Sequence, residues 1–482
     1  MIDFRPILFI VGILLTTLAV AMTLPAMADA IAANPDWQVF AASAALTFFI
    51  GIVLILTTRT GKRRINLRQA FLLTALCWLV IPLVGALPFA YSLLDMDYSD
   101  AFFEAMSGVT TTGSTVIVGL DTAPPGILLW RALLQWLGGI GIIAMAITVL
   151  PMLQVGGMQL FRMESSDKSE KAMPRMAQVA TWTGVIYLAL TLVCAALYWS
   201  AGMSGFDSVA HAMTTIATGG FSTHDGSVGY FDSSLIDSIA VLFMIVGSLP
   251  FVLYLRAVRG APGHLWRDRQ VRLFVTILAL AVAGMTFYLN MTRDVEALTA
   301  LRLSAFNVIS VITGTGYATA DFGLWGGFAV AALFCMMFIG GCAGSTTCGL
   351  KIFRFQVLYA AAHIQLRRLL QPNGVFIPYY NNKPIEDSVL ASVMAFFFLF
   401  ILCWVALAVG LGLAGLDFLT ATSGAASAIA NVGPGLGPVI GPAGNFAGLP
   451  EPAKWLLAAG MLLGRLELFT ILVLLMPSFW RT

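Results

Sequence analysis

Four short stretches carry the residues that could do chemistry, and that chemistry is the replacement of an ion's water by oxygen. They read SGVTTTG (107–113), MTTIATG (213–219), SVITGTG (310–316) and SAIANVG (427–433). Each is built of small residues, hydroxyl-rich in the first three, and ends on a glycine. A bare potassium or sodium ion needs oxygen ligands in place of its water shell. Carbonyls of an extended, glycine-containing strand supply them, and four such strands about one axis make stacked rings. Glycine permits backbone torsions that other residues resist. No carboxylate lies in any window, which argues against a divalent-selective ring of acids. The candidate ion-binding residues are Thr110, Thr111, Thr112 and Gly113; Ala217, Thr218 and Gly219; Gly314, Thr315 and Gly316; and Asn431, Val432 and Gly433.

Something must hold these loops at membrane depth. The chain has 482 residues, 59% hydrophobic and only 10% charged, with a mean hydropathy of +0.89. Soluble domains carry roughly 25% charged residues, so this is a polytopic membrane protein. Each window follows a short helical piece, too short to cross a bilayer, that begins near an acid: Asp100, Asp207, Glu296 or Asp417. Acids favour a helix N-terminus, and the C-terminal end, carrying roughly −0.5 charge, then faces the pore and favours a cation. An apolar span flanks each piece on either side. Non-helical backbone is tolerated at that depth only where protein buries it or water reaches it, so the layout is that of a re-entrant pore loop.

Charge placement sets the topology. Apolar spans at 8–22 and 39–57 precede a basic loop with Arg59, Lys62, Arg63, Arg64 and Arg68. Four helix–loop–helix units follow, and the strongly basic segments fall between units, as cytoplasmic loops do. Loops inside units carry mostly acids, among them Asp95, Asp97, Asp225, Asp232, Asp321 and Glu451, with Arg293 and Lys454 as exceptions. Ten crossings with both termini cytoplasmic are expected, the acids concentrating cations at the outer mouth or being simply solvated. The expected fold is an all-α polytopic membrane protein. It has four tandem helix–pore-loop–helix repeats in pseudo-fourfold arrangement around one pore, plus two N-terminal transmembrane helices. The expected divisions are residues 1–66, 67–175, 176–270, 271–384 (with a gating loop at 340–350) and 385–482. The six cysteines read as buried small hydrophobes.

Two features break the repeat. In the third unit the second helix runs into GGCAGSTTCG, and each glycine costs about 1 kcal/mol in a helix relative to alanine. A flexible loop across the pore below the filter is expected, with Gly340, Gly341, Gly344, Ser345, Thr346, Thr347 and Gly349 as gate residues. In the fourth unit Arg465 lies inside LLAAGMLLGRLELFTILVLL, read as one continuous span. A lone arginine there costs about 2.5–3.5 kcal/mol by insertion scales and marks an ion pathway by default. Glu467 is too near in sequence to share its face of a helix, so Arg465 is expected to turn to the pore and find loop carbonyls. His211 and His363 read as structural. Glu104 either bonds filter amides or faces the outer vestibule.

Four membrane–loop–membrane units with threonine-glycine filters resemble the Trk/Ktr/HKT superfamily of cation transporters. The two leading spans, NVGPGLG (431–437) and GGCAGSTTCGLK (340–351) are similar to the bacterial TrkH/TrkG branch. The resemblance implies potassium uptake across the bacterial inner membrane, a homodimer, and a cytosolic nucleotide-binding regulatory subunit similar to TrkA. It also implies the Arg465 gate. Plant relatives with serine at the first filter glycine favour sodium, whereas Gly113 stands here. Neither a cofactor nor nucleic acid is implied; lipid and potassium are the partners. Any nucleotide binds the regulatory subunit, with 161–175, 256–272 and 351–384 as its docking surface. The alternatives are a sodium-permeable or sodium/proton-coupled relative of the same fold, or a secondary transporter built on inverted repeats. The uniform charge pattern speaks against the latter, and the absence of paired carboxylates or a nucleophile–base pair speaks against an enzyme.

Overall fold

The computed structural model describes residues 2–59, 66–148, 172–381 and 383–481. The basic residues Lys62, Arg63, Arg64, Arg162, Lys168 and Lys171 lie outside them, as does most of the expected docking segment 161–175.

The regular secondary structure of the described chain is helical apart from a ribbon of two-residue strands, β1 (Tyr379–Tyr380) antiparallel to β2 (Lys383–Pro384). Seven helices are long and apolar enough to cross a membrane: α1 (Arg5–Ile31), α2 (Trp37–Thr58), α3 (Leu67–Gly85), α5 (Pro125–Thr148), α6 (Ala172–Ser200), α10 (Arg269–Arg293) and α14 (Asp387–Leu413). Two further spans are bent. α8 (Ser234–Gly247) turns by 93° into α9 (Phe251–Val258), and α16 (Glu451–Arg465) turns by 105° into Phe469–Leu475. Pro250 explains the first break, because proline lacks the amide that would continue the ladder. The second break corrects the expectation of one continuous span through Arg465. Glu467 and Leu468 take φ of 55° and 48°, which ends the helix where the sequence shows neither glycine nor proline. The remaining expected crossing is only the 11-residue α12 (Gly327–Met337), after which the glycine-rich stretch leaves the helix.

Between the spans lie the pore helices α4 (Tyr98–Val109), α7 (Gly205–Ile216), α11 (Ala297–Ile312) and α15 (Phe418–Ala430). Their starts follow local chemistry. Asp417 accepts from the amides of Leu419 and Thr420, and the Ser204 hydroxyl accepts from the amide of Asp207. Such caps satisfy amides that have no partner in the first turn.

The N-terminal pair packs backbone to backbone. A Cβ on Gly12 would lie 2.9 Å from the Gly51 carbonyl oxygen, so only small residues fit. The pair anchors onto the first repeat through Asp29, fully buried in α1. Its carboxylate accepts from the Gly126 amide at 2.6 Å, in the first turn of α5, where the helix dipole favours a negative charge. α5 therefore enters the centre of the molecule fixed at its N-terminal end. α13 (Ile352–Leu370) follows the glycine-rich loop and carries buried residues at its start, then exposed Arg367 and Arg368.

Candidate functional site

Each pore helix ends in the same way. The amides of Thr111, Thr218, Gly314 and Asn431 donate three residues back, to the carbonyls of Gly108, Thr215, Val311 and Ala428. The next amides, of Thr112, Gly219, Thr315 and Val432, donate five residues back, to Ser107, Thr214, Ser310 and Ser427. The first residue of each pair is left-handed, with φ of 53°, 49°, 66° and 52°. A left-handed residue followed by a bond to the carbonyl five back is the Schellman way of closing a helix.

This pattern corrects the register of the second loop. The residue after each pair is Gly113, Gly220, Gly316 or Gly433, with φ of 89°, 79°, 82° and 110°. Gly220, not Gly219, is thus the partner of the other three glycines, and the window in the second repeat shifts by one. These four glycines close a ring. A Cβ on Gly113 would strike the Gly219 carbonyl oxygen; on Gly220, that of Thr315; on Gly316, that of Val432; on Gly433, that of Thr112 at 2.8 Å. Each loop's glycine thus lies against the next loop's carbonyl, from the first repeat through the fourth and back. All thirteen candidate ion-binding residues lie in these loops.

The seams behind the ring differ. Between repeats one and two sits a buried ion pair, Arg131 Nε to Glu104 Oε1 at 2.7 Å, with both side chains almost fully excluded from solvent. Arg131 also donates to the Ser222 carbonyl at 2.7 Å, and Glu104 accepts from the Val116 amide and the Thr115 hydroxyl. Glu104 therefore bonds the backbone beyond the loop instead of facing the vestibule. Four residues along α5, Gln135 donates to the Gly219 carbonyl at 2.6 Å and accepts from the Phe221 amide at 3.0 Å. Between repeats two and three, the Tyr317 hydroxyl meets the hydroxyls of Thr214 and Thr215 and donates to the His211 carbonyl. His211 bonds the Asp207 carbonyl and the Ser222 hydroxyl, a structural role. Between repeats four and one, Asn431 Nδ2 donates to the Thr112 hydroxyl at 2.8 Å and Ser114 to the Gly433 carbonyl at 2.7 Å.

Several of the acids inside the units are engaged rather than free. Asp100 pairs with Lys454, Asp232 and Asp237 with Arg302, and Asp121 with His224. Burial alone would raise the Asp207 carboxyl, but bonds from Thr223 and Ser204 outweigh it and hold it below its usual value.

Below the ring lies the glycine-rich loop. Its neck is closed by the Gly340 amide donating to the Leu350 carbonyl and the Leu350 amide to the Phe338 carbonyl. It docks on the groups freed by the α8–α9 break: Cys342 donates to Ser248, Thr346 to Gly247, and Phe251 to Gly344, all through backbone atoms at 3.0–3.2 Å. The Ser345 and Thr347 hydroxyls bond each other at 2.7 Å, and the Thr218 hydroxyl donates to that of Thr346 at 3.1 Å. Arg465, only 1% exposed, reaches the same loop. It donates to the Thr346 carbonyl at 3.2 Å, to Cys348 Sγ at 2.6 Å and to the Gly138 carbonyl on α5 at 2.9 Å. The expected meeting of Arg465 with loop carbonyls is present in this geometry. Glu467 is not held apart by helix periodicity, because the helix has ended; it pairs with the buried Arg354 at the start of α13.

A family model described as a cation transport protein, TrkH, matches residues 36–481. The chain belongs to the TrkH family. It is 46% identical to the Trk system potassium uptake protein TrkI of Halomonas elongata, over 99% of this chain and 97% of that one. It is 40% identical to the TrkH protein of Salmonella typhimurium, over 99% of each. The crystal structure of the potassium transporter TrkH from Vibrio parahaemolyticus superposes with a TM-score of 0.92 at 37% identity, covering 100% of both chains. Membership makes this chain a multi-pass transport protein rather than an enzyme, working without a cofactor.

Sequence reasoning passed over three residues that frame the site: Arg131, Gln135 and Arg354. Arg131 was findable, since an arginine inside LLWRALLQW meets the same intramembrane-charge rule that singled out Arg465, with Glu104 as its partner. Gln135 carries no such signal. Of the six cysteines expected to be buried, Cys194, Cys342 and Cys348 are, Cys77 and Cys403 are half-buried and Cys335 is exposed; all six are free.

Proposed function

We propose that this chain is a potassium-uptake pore of the bacterial inner membrane, with both termini cytoplasmic. Ions pass the ring of loop carbonyls built from Thr110–Gly113 and its counterparts, and Arg465 with the 340–349 loop forms the gate beneath. The observation that carries this reading is the closed ring of four glycines, each against the next loop's carbonyl. Such a ring surrounds one axis with backbone oxygens, the environment that replaces a potassium ion's hydration. Arg465 supports the gate: its guanidinium bridges the third-repeat loop and first-repeat helix α5, so a positive charge tethers two walls of one conduit.

Units at 67–175, 176–270, 271–384 and 385–482, after the leading pair, describe the repeats. The potassium-uptake names of the relatives support the ion. A homodimer, and a cytosolic nucleotide-binding subunit like TrkA docked at 256–272 and 351–384, extend the same reading. A sodium-permeable pore is the second reading. It is favoured by the inequality of the loops: Val432 stands in the fourth where Thr112 and Thr315 stand in the first and third, so the cage is not fourfold identical. Rubidium against sodium uptake in cells lacking their own potassium systems decides between them. Rubidium uptake well above sodium uptake supports the first reading, equal uptake supports the second, and neither ion entering overturns both.

A further inference from the structure

We propose that Gln135, a residue of the first repeat, tunes the potassium-over-sodium preference of the second repeat's loop. The inference rests on the pore reading and names a residue within it. Gln135 is fully buried in α5, and its amide makes two bonds that bracket Gly220: Nε2 to the Gly219 carbonyl at 2.6 Å and Oε1 from the Phe221 amide at 3.0 Å. One partner can only accept and the other only donate, so a single orientation of the side chain serves both. The Gly219 carbonyl is the second repeat's member of the ring, equivalent to those of Thr112, Thr315 and Val432 and seated against Gly113. Among the described residues, no side chain donates to those other three carbonyls. One ring oxygen in four is therefore held by an amide on the protein side.

The consequence has a sign. A small ion such as sodium gains most when carbonyls can move in and present their full field, whereas potassium is satisfied by a wider, weaker cage. An oxygen whose lone pair is already shared and whose position is pinned at both ends of the glycine cannot follow a shrinking ion. Gln135 thus acts against sodium. It is a positioning residue, acting through the Gly219 carbonyl without touching the ion. The geometry also explains why Gly219 has no side chain: a Cβ there would run into the Gln135 amide.

The test is the potassium-to-sodium permeability ratio of the full-length protein in proteoliposomes, for wild type, Gln135→Met and Gln135→Glu. Met keeps the length and removes both bonds; Glu keeps the acceptor for Phe221 and loses the donor to Gly219. Both variants should lower the ratio at least about threefold, and ratios within twofold of wild type would overturn the proposal. If a variant carries no measurable current, its purified, folded form is compared for thermal stabilisation by potassium and by sodium. Collapse of the wild-type difference between the ions supports the clamp, and retention of that difference sinks it. A wild type that neither conducts nor distinguishes the ions means the pore reading has failed. A selective wild type with equally selective variants means only the clamp has.

Discussion

The ring and the proposed gate are built on opposite plans. The ring is made four times over from main-chain atoms, and its side chains vary: threonine, glycine and asparagine share the left-handed place (Thr111, Thr218, Gly314, Asn431), and threonine, glycine and valine the next (Thr112, Gly219, Thr315, Val432), because the bonds that close each helix are backbone bonds. The proposed gate is made once, from individual side chains, and its members sit on α5, the 340–349 loop, α13 and α16, with no counterpart in the other repeats among the described residues. Repetition buffers the first against substitution outside its glycines. The second has no such buffer, since Arg465, Glu467 and Arg354 each hold a place that backbone alone cannot fill.

The contrast can be broken first at Arg465. Arg465→Ala removes charged hydrogen bonds worth about 1.5–3 kcal/mol each, so rubidium leak into vesicles lacking a regulatory subunit should rise about tenfold or more. An unchanged leak would put the gate elsewhere. Glu467→Ala leaves the Arg354 guanidinium without its carboxylate in a buried setting. Such a loss costs about 3–5 kcal/mol and should appear as a lowered thermal unfolding midpoint.

The ring is probed by two neighbouring glycines. Gly220→Ala forces a side chain into a left-handed backbone, at roughly 1–2 kcal/mol, and against the Thr315 carbonyl; rubidium uptake should fall about tenfold. Gly219→Ala meets the end of the Gln135 side chain instead of backbone, so the clamp yields before the loop does; uptake should fall less, and the potassium preference should fall with it. Equal losses would remove the register assigned here. The smallest effect belongs to a cap. Bonding to Thr420, and then to Leu419, holds the Asp417 carboxyl below its ordinary 3.8. Its contribution is therefore present above that value and lost as pH falls through the lower folded one. Asp417→Ala should cost about 1 kcal/mol at neutral pH and nothing at strongly acidic pH, measured by thermal melts at both.

Much of this was legible beforehand, for reasons particular to the residues. Glycine, threonine and missing charge mark the loops because an ion cage at membrane depth leaves few other choices. The second loop's register was not legible, since Gly219 and Gly220 are adjacent and what distinguishes them, the bond from the Gly219 amide to Thr214 and the positive φ of Gly220, exists only in the fold. The break after Arg465 was hidden because Leu466, Glu467 and Leu468 are all compatible with a helix; the Arg354 pairing that accompanies the break comes from a residue more than a hundred positions away. Gln135 was hidden because an uncharged amide in an apolar span looks like any buried polar residue until its two partners are seen.

One helix bears on both plans. Gln135, at the ring, and Gly138, whose carbonyl receives Arg465, stand three residues apart on α5, about 4.5 Å along its axis. A rung so short in a rigid rod transmits displacement nearly undiminished. On the proposed gate, withdrawing the arginine to open the conduit would also unload the rung that steadies the second loop, so permission to flow and discrimination between ions would share one mechanical part.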